Sequence, residues 1–507
     1  MNIQILSTSD VHGYFVADDY RRPLRDLNFG LAKTLTVIDR VRHDHPADLV
    51  LTIDNGDFIQ GSPLTNYIEK KNPDQDRVYG ELAQPVGYDV RILGNHEFNY
   101  GRQYLEKLFA TDPILLNANI IDRQTGQPFI GQPYKIFEKM GVKVAVIGLT
   151  TQYIPHWEAA ENIQGLRFLD PVEVAKDLIK KLVGQVDRIV LAYHGGFDRD
   201  LQTDELLEPE TVENQGNQLL ALAGVDALVT GHQHRMLAEV VHGVATTQPG
   251  YRGQAVGWMT ISDDGNQATL LSVEGVGASA ELTNQINDLY QQTNRWLDQP
   301  IGHVGHNLEL QDHFSARLHG HPFADLINQI QMAATGAKIS TNAIFSDEMQ
   351  GFADKVTLRD VATNYIYPNT LAVELLSGAE LKEALEINAA YFAVQNQQIV
   401  VNQAYVYPKV QHYNYDLWSG LTYTMTVSKP VGERISAISV DGQPLDLTAK
   451  YEVVVNNYRA NGAGNAVFSP DKIIRELPTD VTELISDYLL AHPNLNVGES
   501  HNVNVVL

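Results

Sequence analysis

Histidine, aspartate and asparagine residues recur directly after short apolar segments in the first half of the chain. Five segments of this kind have the length and composition of buried strands: Ile3–Leu6, Leu49–Ile53, Val90–Leu93, Ile189–Ala192 and Ala227–Thr230. The polar residues that follow them are Asp10, His12, Asp57, Asn95, His96, His194, His232 and His234. Because sites in α/β proteins form where strands end, the pattern predicts that these side chains meet in one place.

Helical patterns alternate with these predicted strands. Between the first two strands, apolar residues recur at helical spacing: Leu31, Leu35, Ile38 and Val41. Two later apolar segments, Ala255–Ile261 and Thr269–Val273, follow each other without an intervening helix. The alternation indicates an α/β fold whose sheets are mixed rather than purely parallel.

The length of 507 residues favours more than one domain. We expect a first domain at residues 1–278 and a second α/β domain at residues 301–507. Residues 279–300 between them carry an amphipathic stripe that predicts one connecting helix, ending before Pro300: Leu282, Ile286, Leu289 and Trp296.

Composition excludes several classes of protein. The chain has no cysteine, so thiolate metal sites, disulfides and cysteine nucleophiles are excluded. A net charge of −25 disfavours a nucleic acid polymer as partner, whereas a small anionic substrate remains compatible with a local cation. We find neither an N-terminal signal peptide nor an apolar run long enough to cross a membrane, and we therefore expect a cytoplasmic protein without a membrane partner. The oligomeric state stays open.

The recurring side chains are carboxylates, imidazoles and one amide. This donor set suits two divalent ions of the Mn, Zn, Fe or Co type, which can together hold a phosphate group. Each motif alone is weak, since Asn55-Gly56 is also a turn signal and a single histidine after an apolar run is commonly a core residue. The joint occurrence of all five motifs in order is what predicts the metal centre.

These motifs resemble those of the calcineurin-like metallophosphoesterases. The longer strings Asn55–Leu64 and Gly94–Gly101 are similar to those of the 5′-nucleotidase family, and the branch they most resemble is 2′,3′-cyclic-nucleotide 2′-phosphodiesterase/3′-nucleotidase. Motifs in the second half extend the resemblance over essentially the whole chain: Leu358–Val361, Tyr367–Thr370, Tyr413–Asp416 and Asn456–Ala460. The resemblance implies a four-layer metallophosphoesterase β-sandwich flanked by helices, followed by a 5′-nucleotidase-type α/β domain.

The resemblance also implies a role for each residue of the first half. One metal would be held by Asp10, His12, Asp57 and His234, with Asp57 as the bridging ligand. The other metal would be held by Asn95, His194 and His232. His96 would not bind metal but would face the phosphate, either stabilising charge or protonating the leaving oxygen.

In the second half, the resemblance implies that Tyr415 and Tyr458 stack on a nucleotide base. Asn342 and Asn457 are candidate polar contacts to the nucleoside. Ordinary packing is the alternative interpretation of both tyrosines in a chain with 23 tyrosines.

Two positions depart from the common family pattern. Many 5′-nucleotidases have aspartate three residues after the catalytic histidine, where this chain has Asn99. An amide oxygen still accepts a hydrogen bond from His96, although it brings no negative charge, and the cyclic-phosphodiesterase branch is similar in having asparagine there. Where many relatives read Gly-Gly-Asp-Gly, residues 462–465 read Gly-Ala-Gly-Asn, which removes a carboxylate near the expected nucleoside contacts.

Three functions follow from this interpretation. The first is two-metal hydrolysis of 2′,3′-cyclic nucleotides and 3′-nucleotides, with a small-molecule nucleotide as substrate. The second is a 5′-nucleotidase or UDP-sugar hydrolase on the same scaffold, which differs only in the leaving group. The third, from another class, is a non-catalytic nucleotide-binding protein with a degenerate site.

Overall fold

The computed structural model describes residues 2–21, 26–71, 77–207, 211–365, 369–407, 410–477 and 479–507. Tyr367 and Pro368 of the motif quoted above lie outside the described residues. The chain divides into two compact units, Met1–Asn294 and Arg295–Leu507, here called the N-terminal and the C-terminal unit. Among the described residues, no helix combines the length and the apolar character that crossing a membrane requires.

The strands of the N-terminal unit are β1 (Ile3–Thr8), β2 (Leu49–Asp54), β3 (Val90–Arg91), β4 (Ile120–Asp122), β5 (Tyr134–Lys139), β6 (Val142–Thr150), β7 (Leu166–Phe168), β8 (Arg188–His194), β9 (Ala227–Val229), β10 (Met236–Val241), β11 (Val244–Pro249), β12 (Ala255–Ile261) and β13 (Gln267–Ser272). Its helices are α1 (Leu31–Asp44), α2 (Pro63–Lys71), α3 (Val78–Ala83), α4 (Arg102–Phe109), α5 (Pro171–Leu182) and α6 (Gly216–Leu220). A further helix, α7, spans Ala280–Leu297.

Two mixed sheets form the centre of this unit, with strand orders β13-β12-β1-β2-β3 and β10-β11-β9-β8-β6-β5. Alternate residues explain how the second sheet is buried on both faces. Val144 and Val146 of β6 pack in the core between the sheets, whereas Ala145 and Ile147 pack on the other side with residues of α5. Helix α1 packs on β12 of the first sheet, so the unit has the four-layer α/β sandwich that the family resemblance implies.

The predicted helix at residues 279–300 forms as α7, with Leu282 and Ile286 of its stripe buried. The division between the two units falls inside this helix, between Asn294 and Arg295. The interpretation of the helix as a connector, with domain boundaries at 278 and 301, stays a prediction.

The strands of the C-terminal unit are β14 (Pro300–His303), β15 (Leu308–Glu309), β16 (Ile339–Ala343), β17 (Gly351–Phe352), β18 (Lys355–Thr357), β19 (Leu371–Ser377), β20 (Phe392–Gln395), β21 (Gln398–Val401), β22 (Asp416–Ser419), β23 (Leu421–Thr426), β24 (Ile435–Val440), β25 (Gln443–Pro444), β26 (Lys450–Asn456), β27 (Ile473–Leu477) and β28 (Val503–Val506). Its helices are α8 (His313–His319), α9 (Pro322–Thr335), α10 (Leu358–Asn364), α11 (Gly378–Ala389), α12 (Asn457–Ala460) and α13 (Val481–Ala491).

A five-stranded mixed sheet of order β22-β16-β26-β19-β27 is the centre of the C-terminal unit, and a smaller sheet has the order β25-β24-β23-β28. Helix α9 packs on β16 and β22, and α11 packs on β19 and β24. Capping boxes begin two of the helices, at Thr357 with Asp360 and at Ser377 with Glu380, because each hydroxyl and carboxylate satisfies an otherwise unpaired N–H group. One continuous apolar core fills this unit.

Candidate metal centre

Strands of both N-terminal sheets deliver the predicted ligands. In the first sheet, β1, β2 and β3 are parallel neighbours that lead into Asp10, Asp57 and Asn95. In the second sheet, β8 ends at His194 and its parallel neighbour β9 leads into the loop with His232 and His234. Strand β3 is shorter than predicted and ends at Arg91, so the loop that carries Asn95 and His96 starts earlier.

The ligand atoms converge in two groups whose members all lie within 4.8 Å of one another. One group is Asp10, His12 and His234, and the other is Asp10, Asp57 and His194. The Nε2 of His194 lies 3.2 Å from Oδ2 of Asp57, and the same carboxylate oxygen lies 3.9 Å from Nε2 of His12. Asp10 thus belongs to both groups, and Asp57 of the second group also lies close to His12 of the first.

Asn95 joins the remaining predicted ligand to this cluster. Its Oδ1 lies 3.1 Å from Nε2 of His194 and 2.8 Å from Nδ1 of His232. All seven predicted metal ligands are therefore adjacent, although their positions in the chain span more than two hundred residues.

The backbone at the centre is held in a conformation that side chains rarely adopt. Five of the seven predicted ligands have positive φ angles: Asp10 (55°), His12 (50°), Asp57 (55°), His232 (71°) and His234 (57°). Each such residue costs on the order of 1–2 kcal/mol relative to the right-handed region. Strain concentrated on these residues indicates that their placement serves a function rather than stability.

Glycine is required where the ligand loops pass closest to one another. A Cβ at Gly231 would lie 2.0 Å from Oγ of Ser9 and 2.7 Å from Oδ2 of Asp10. A Cβ at Gly94 would lie 2.2 Å from Oδ1 of Asp57. Both distances are far inside van der Waals contact, so any larger residue would push a ligand out of place.

Burial and mutual charge decide the protonation of the cluster. Burial and the nearby Asp57 raise the pKa of Asp10 to about 6. Burial opposes ionisation of Asp57 as well, but His194 and the neighbouring histidines outweigh it and hold the pKa of Asp57 well below its usual range. The same attraction raises the pKa of His194 to about 10 despite its burial. Burial lowers the pKa of His12 to about 4, so this imidazole is neutral near pH 7.

The donor set fits divalent metal ions. The Nδ1 of His12 lies 3.0 Å from the carbonyl oxygen of Gln60, and the Nδ1 of His194 lies 2.7 Å from that of Asn55. A carbonyl oxygen only accepts, so both Nδ1 atoms carry the proton and both Nε2 atoms face the cluster. Two carboxylates, several imidazoles and one amide oxygen around a common point are ligands of borderline cations, and the negative charge that holds a proton on His194 also attracts a cation.

Glu97 is a functional residue to which the sequence assigned no role. Its buried carboxylate accepts backbone N–H groups of Asp57 (2.8 Å), Phe58 (2.6 Å), Ile59 (3.3 Å) and Gly94 (2.5 Å). The side chain thus ties the loop after β2 to the loop after β3. A glutamate directly after the Asn95-His96 pair was the available signal, but three of its four partners, Asp57, Phe58 and Ile59, lie about forty residues away in the chain.

Two further side chains contact the ligands. The Nε2 of His232 lies 3.0 Å from Oε1 of Glu213, so this carboxylate orients the ring from behind. The ring of Tyr251 stacks on His234 with centroids 4.8 Å apart and an interplanar angle of 5°. Neither residue belongs to one of the recognisable motifs, so neither contact could be predicted from the sequence.

His96 lies beside the cluster without joining either group of converging ligand atoms. Its ring makes an edge contact with His12, with centroids 5.3 Å apart, and its backbone N–H donates to Oδ1 of Asp57 at 2.8 Å. Its Nδ1 donates to Oδ1 of Asn99 at 2.7 Å. This bond leaves Nε2 as the atom that can act on a bound substrate.

The structure corrects the interpretation of Tyr415. Its ring is buried in the core of the C-terminal unit, stacked on Tyr391 with centroids 4.6 Å apart and in edge contact with Phe392. Tyr458 is 43% exposed and its ring lies 6.1 Å from that of Tyr413 at an angle of 81°. The accessible tyrosine pair is therefore Tyr413 with Tyr458.

Of the two candidate asparagines, Asn342 is buried and Asn457 is partly exposed. The Oδ1 of Asn342 accepts from the hydroxyl of Tyr365 at 3.0 Å, and its Nδ2 has no hydrogen-bond partner among the described residues. The Oδ1 of Asn457 accepts the backbone N–H of Thr370 at 3.3 Å. The Oδ1 atom of each asparagine thus already accepts a hydrogen bond from within the C-terminal unit.

Comparison with known domains matches each unit separately. Residues 3–236 match the calcineurin-like phosphoesterase domain, and residues 300–470 match the 5′-nucleotidase C-terminal domain. The fold and the ligand cluster define the chain as a calcineurin-like phosphoesterase, a class of hydrolases that use divalent metal ions.

A crystal structure from Staphylococcus aureus, assigned as a 5′-nucleotidase and solved with α-ketoglutarate, is 34% identical over the full length of both chains, with a TM-score of 0.88. The 2′,3′-cyclic-nucleotide 2′-phosphodiesterase/3′-nucleotidase of Yersinia enterocolitica is 27% identical over 97% of this chain and 85% of its own length. The trifunctional nucleotide phosphoesterase YfkN of Bacillus subtilis is also 27% identical, but this chain spans only 39% of it. The chain belongs to the 5′-nucleotidase family.

Proposed function

We propose that the protein uses two divalent metal ions to hydrolyse small nucleotide phosphoesters, opening 2′,3′-cyclic nucleotides and removing the 3′-phosphate that remains. The observation that carries this proposal is the pair formed by His96 and Asn99 beside the ligand cluster. Asparagine at this position resembles the cyclic-nucleotide branch of the family, and the Yersinia relative carries the name of that activity.

The metal ions, when bound, supply a Lewis acid and lower the pKa of water near the phosphorus atom. One ion would be held by Asp10, His12, Asp57 and His234, and the other by Asn95, His194, His232 and the shared Asp57. The chain's own contribution is to hold these groups rigidly. Glu97 fixes the loop of Asp57, and the Nδ1–H bonds of His12 and His194 to backbone carbonyls fix their Nε2 atoms toward the centre.

His96 is the catalytic side chain of this proposal. When its Nδ1–H donates to Asn99, the Nε2 atom of His96 carries the exchangeable proton of the imidazolium form. That proton can be given to the leaving oxygen of the ribose, or it can stabilise charge on the phosphate oxygens in the transition state. Asn99 accepts the bond without adding a negative charge, which distinguishes this site from one with an aspartate in that place.

The nucleoside would be held in the C-terminal unit by Tyr413 and Tyr458. Their rings form an edge-to-face pair on the surface of that unit, and rotation about the side-chain torsions would open a slot for a flat base. Stacking uses the face of the base rather than its edge, so we expect tolerance for several bases.

A 5′-nucleotidase or UDP-sugar hydrolase is the second candidate. The observation in its favour is the full-length similarity to the Staphylococcus aureus structure, whose assignment is 5′-nucleotidase. The two candidates share the metal centre. They differ in the leaving group that His96 would protonate, which is a 2′ or 3′ oxygen of the ribose in the first and a 5′ oxygen or a phosphate oxygen in the second.

The experiment that separates them measures the release of phosphate and nucleoside from 2′,3′-cyclic AMP, 3′-AMP, 5′-AMP and UDP-glucose, with Mn added. The proposal predicts that 2′,3′-cyclic AMP and 3′-AMP have the highest kcat/KM. Faster turnover of 5′-AMP or UDP-glucose would move the protein to the second candidate, and the metal centre would stand.

A further inference from the structure

Asn99 is held between His96 and a carboxylate that belongs to no recognised motif. Its Nδ2 donates to Oε2 of Glu158 at 2.8 Å, while its Oδ1 accepts from Nδ1 of His96 at 2.7 Å. Glu158 is itself held by two donors, because its Oε1 accepts from Nδ2 of Asn162 at 2.7 Å and from the backbone N–H of Ala159 at 2.9 Å. Asn162 also donates to the backbone carbonyl of Asn99 at 3.1 Å, which closes the network.

An asparagine needs such a partner in a way that an aspartate does not. The two ends of a carboxylate are equivalent, whereas an amide can turn by half a rotation and exchange its oxygen for its NH2 group. If the NH2 group faced His96, Nδ1 would have to accept and the proton of the neutral ring would move to Nε2. The atom that faces the substrate would then have the opposite hydrogen-bonding role.

Glu158 selects one of the two orientations. A carboxylate only accepts, so it binds the NH2 end of Asn99 and leaves the oxygen for His96. Its own position does not depend on His96, because the two other donors come from Asn162 and Ala159.

We propose that Glu158 is a positioning residue for His96: it orients the amide of Asn99 so that the imidazole keeps its proton on Nδ1. This inference rests on the proposed function for its effect on turnover, but not for its effect on the imidazole. It explains how a chain without the usual aspartate still fixes the orientation of its catalytic histidine.

The test is a double-mutant cycle with Glu158→Ala in two backgrounds, Asn99 and Asn99→Asp. In the Asn99 background, Glu158→Ala should lower kcat by about tenfold or more, with unchanged KM and metal content. In the Asn99→Asp background the carboxylate presents an oxygen to His96 in either orientation. Removal of Glu158 should then cost less than about twofold, and it can restore activity because it relieves repulsion between two carboxylates. Glu161→Ala, an exposed position of the same segment, is the matched control.

A loss of equal size in both backgrounds would overturn the proposal, since it would show that Glu158 acts only on the local structure. The absence of any loss in the Asn99 background would overturn it as well. A second measurement does not depend on turnover: the ¹⁵N shifts of the His96 ring, assigned by their absence in His96→Ala. Wild type should show the Nδ1–H form and Glu158→Ala a mixture of both tautomers. An unchanged Nδ1–H spectrum in Glu158→Ala would refute the proposal even if no nucleotide proved to be a substrate.

Discussion

The Nε2 atoms of His12 and His234 lie 3.0 Å apart, and Oδ1 of Asp10 lies 3.5 Å from the latter. At most one proton fits between the two nitrogens. The lone pairs of the two Nε2 atoms and the carboxylate oxygen of Asp10 therefore point toward the same small region. Three electron-rich atoms this close together repel one another, and a bound cation would turn this repulsion into attraction.

His234→Ala should therefore remove one ion while leaving the other. The second group of ligands, Asp10, Asp57 and His194, does not include this residue. We expect metal content measured by mass spectrometry to fall from about two ions per chain to about one. His43→Ala, at an exposed position of α1, is the control and should keep both ions. Unchanged metal content in His234→Ala would contradict the assigned ligand set.

His96→Ala should separate catalysis from metal binding. Its side chain contacts Asn99 and the ring of His12, and it is not one of the converging ligands. We expect kcat to fall by a factor on the order of 10² to 10⁴ with metal content unchanged, because an acid–base group is lost. Turnover at the wild-type level in this variant would refute the catalytic role.

Glu97→Ala should destabilise the N-terminal unit strongly. The substitution leaves four backbone N–H groups without their acceptor, and each costs about 1–3 kcal/mol when it stays buried. We expect a large fall in the urea midpoint together with weaker metal binding. Glu274→Ala, at an exposed position, should change neither quantity. A Glu97→Ala variant as stable as wild type would show that water replaces the carboxylate.

The stability of the C-terminal unit should depend on pH through Glu374. Burial raises the pKa of this glutamate on β19 to about 7, and the N–H of Ser469 and the charge of Lys472 oppose the shift only partly. The folded protein therefore holds a proton that the unfolded chain releases near pH 4.3. The stabilisation from this proton is complete below about pH 4.3 and is lost as the pH rises through about 7.

Glu374→Gln removes this dependence, because an amide remains neutral. We expect the variant to exceed wild type in urea midpoint at about pH 8, with a smaller difference at about pH 5. Glu476→Gln on the neighbouring strand β27 is the exposed control. A difference between Glu374→Gln and wild type that stays constant with pH would contradict the assignment.

The tyrosines of the C-terminal unit should divide into one that binds substrate and one that stabilises the fold. Tyr458→Ala should raise KM for nucleotides by about tenfold, since a stacked base is worth about 1–3 kcal/mol, and should leave hydrolysis of p-nitrophenyl phosphate unchanged. Tyr415→Ala should instead lower the unfolding free energy by about 3–5 kcal/mol, because its buried ring leaves a cavity. The reverse pattern would restore the sequence-based interpretation of Tyr415.

The convergence of the seven predicted metal ligands could be predicted from the sequence because each one lies at the end of an apolar strand or a few residues beyond it. Local order along the chain then carries the information: Asp10 or His194 alone is a weak signal, and the five motifs together predict that the side chains meet. Tyr415 shows where this fails. It directly precedes β22, and whether its ring points into the core or to the surface is decided by the register of that strand in the sheet, which a motif does not contain.

Glu97 and Glu158 show the other limit. Glu97 binds Asp57 and Glu158 binds Asn99, which lie 40 and 59 positions away in the chain. A carboxylate that satisfies backbone amides or orients a side chain has the same local sequence as one that is simply solvated. Only the packing of the loops distinguishes the two.

The most direct test of the account is the hydrolysis of 2′,3′-cyclic AMP and 3′-AMP by one preparation before chelation, after chelation and after addition of Mn, with the metal content determined at each stage. We expect about two ions per chain in the active samples, loss of hydrolysis with loss of metal, and the return of hydrolysis with Mn. Hydrolysis that persists without bound metal would contradict the metal centre. A fully loaded protein that cleaves no nucleotide phosphoester would contradict the proposed function.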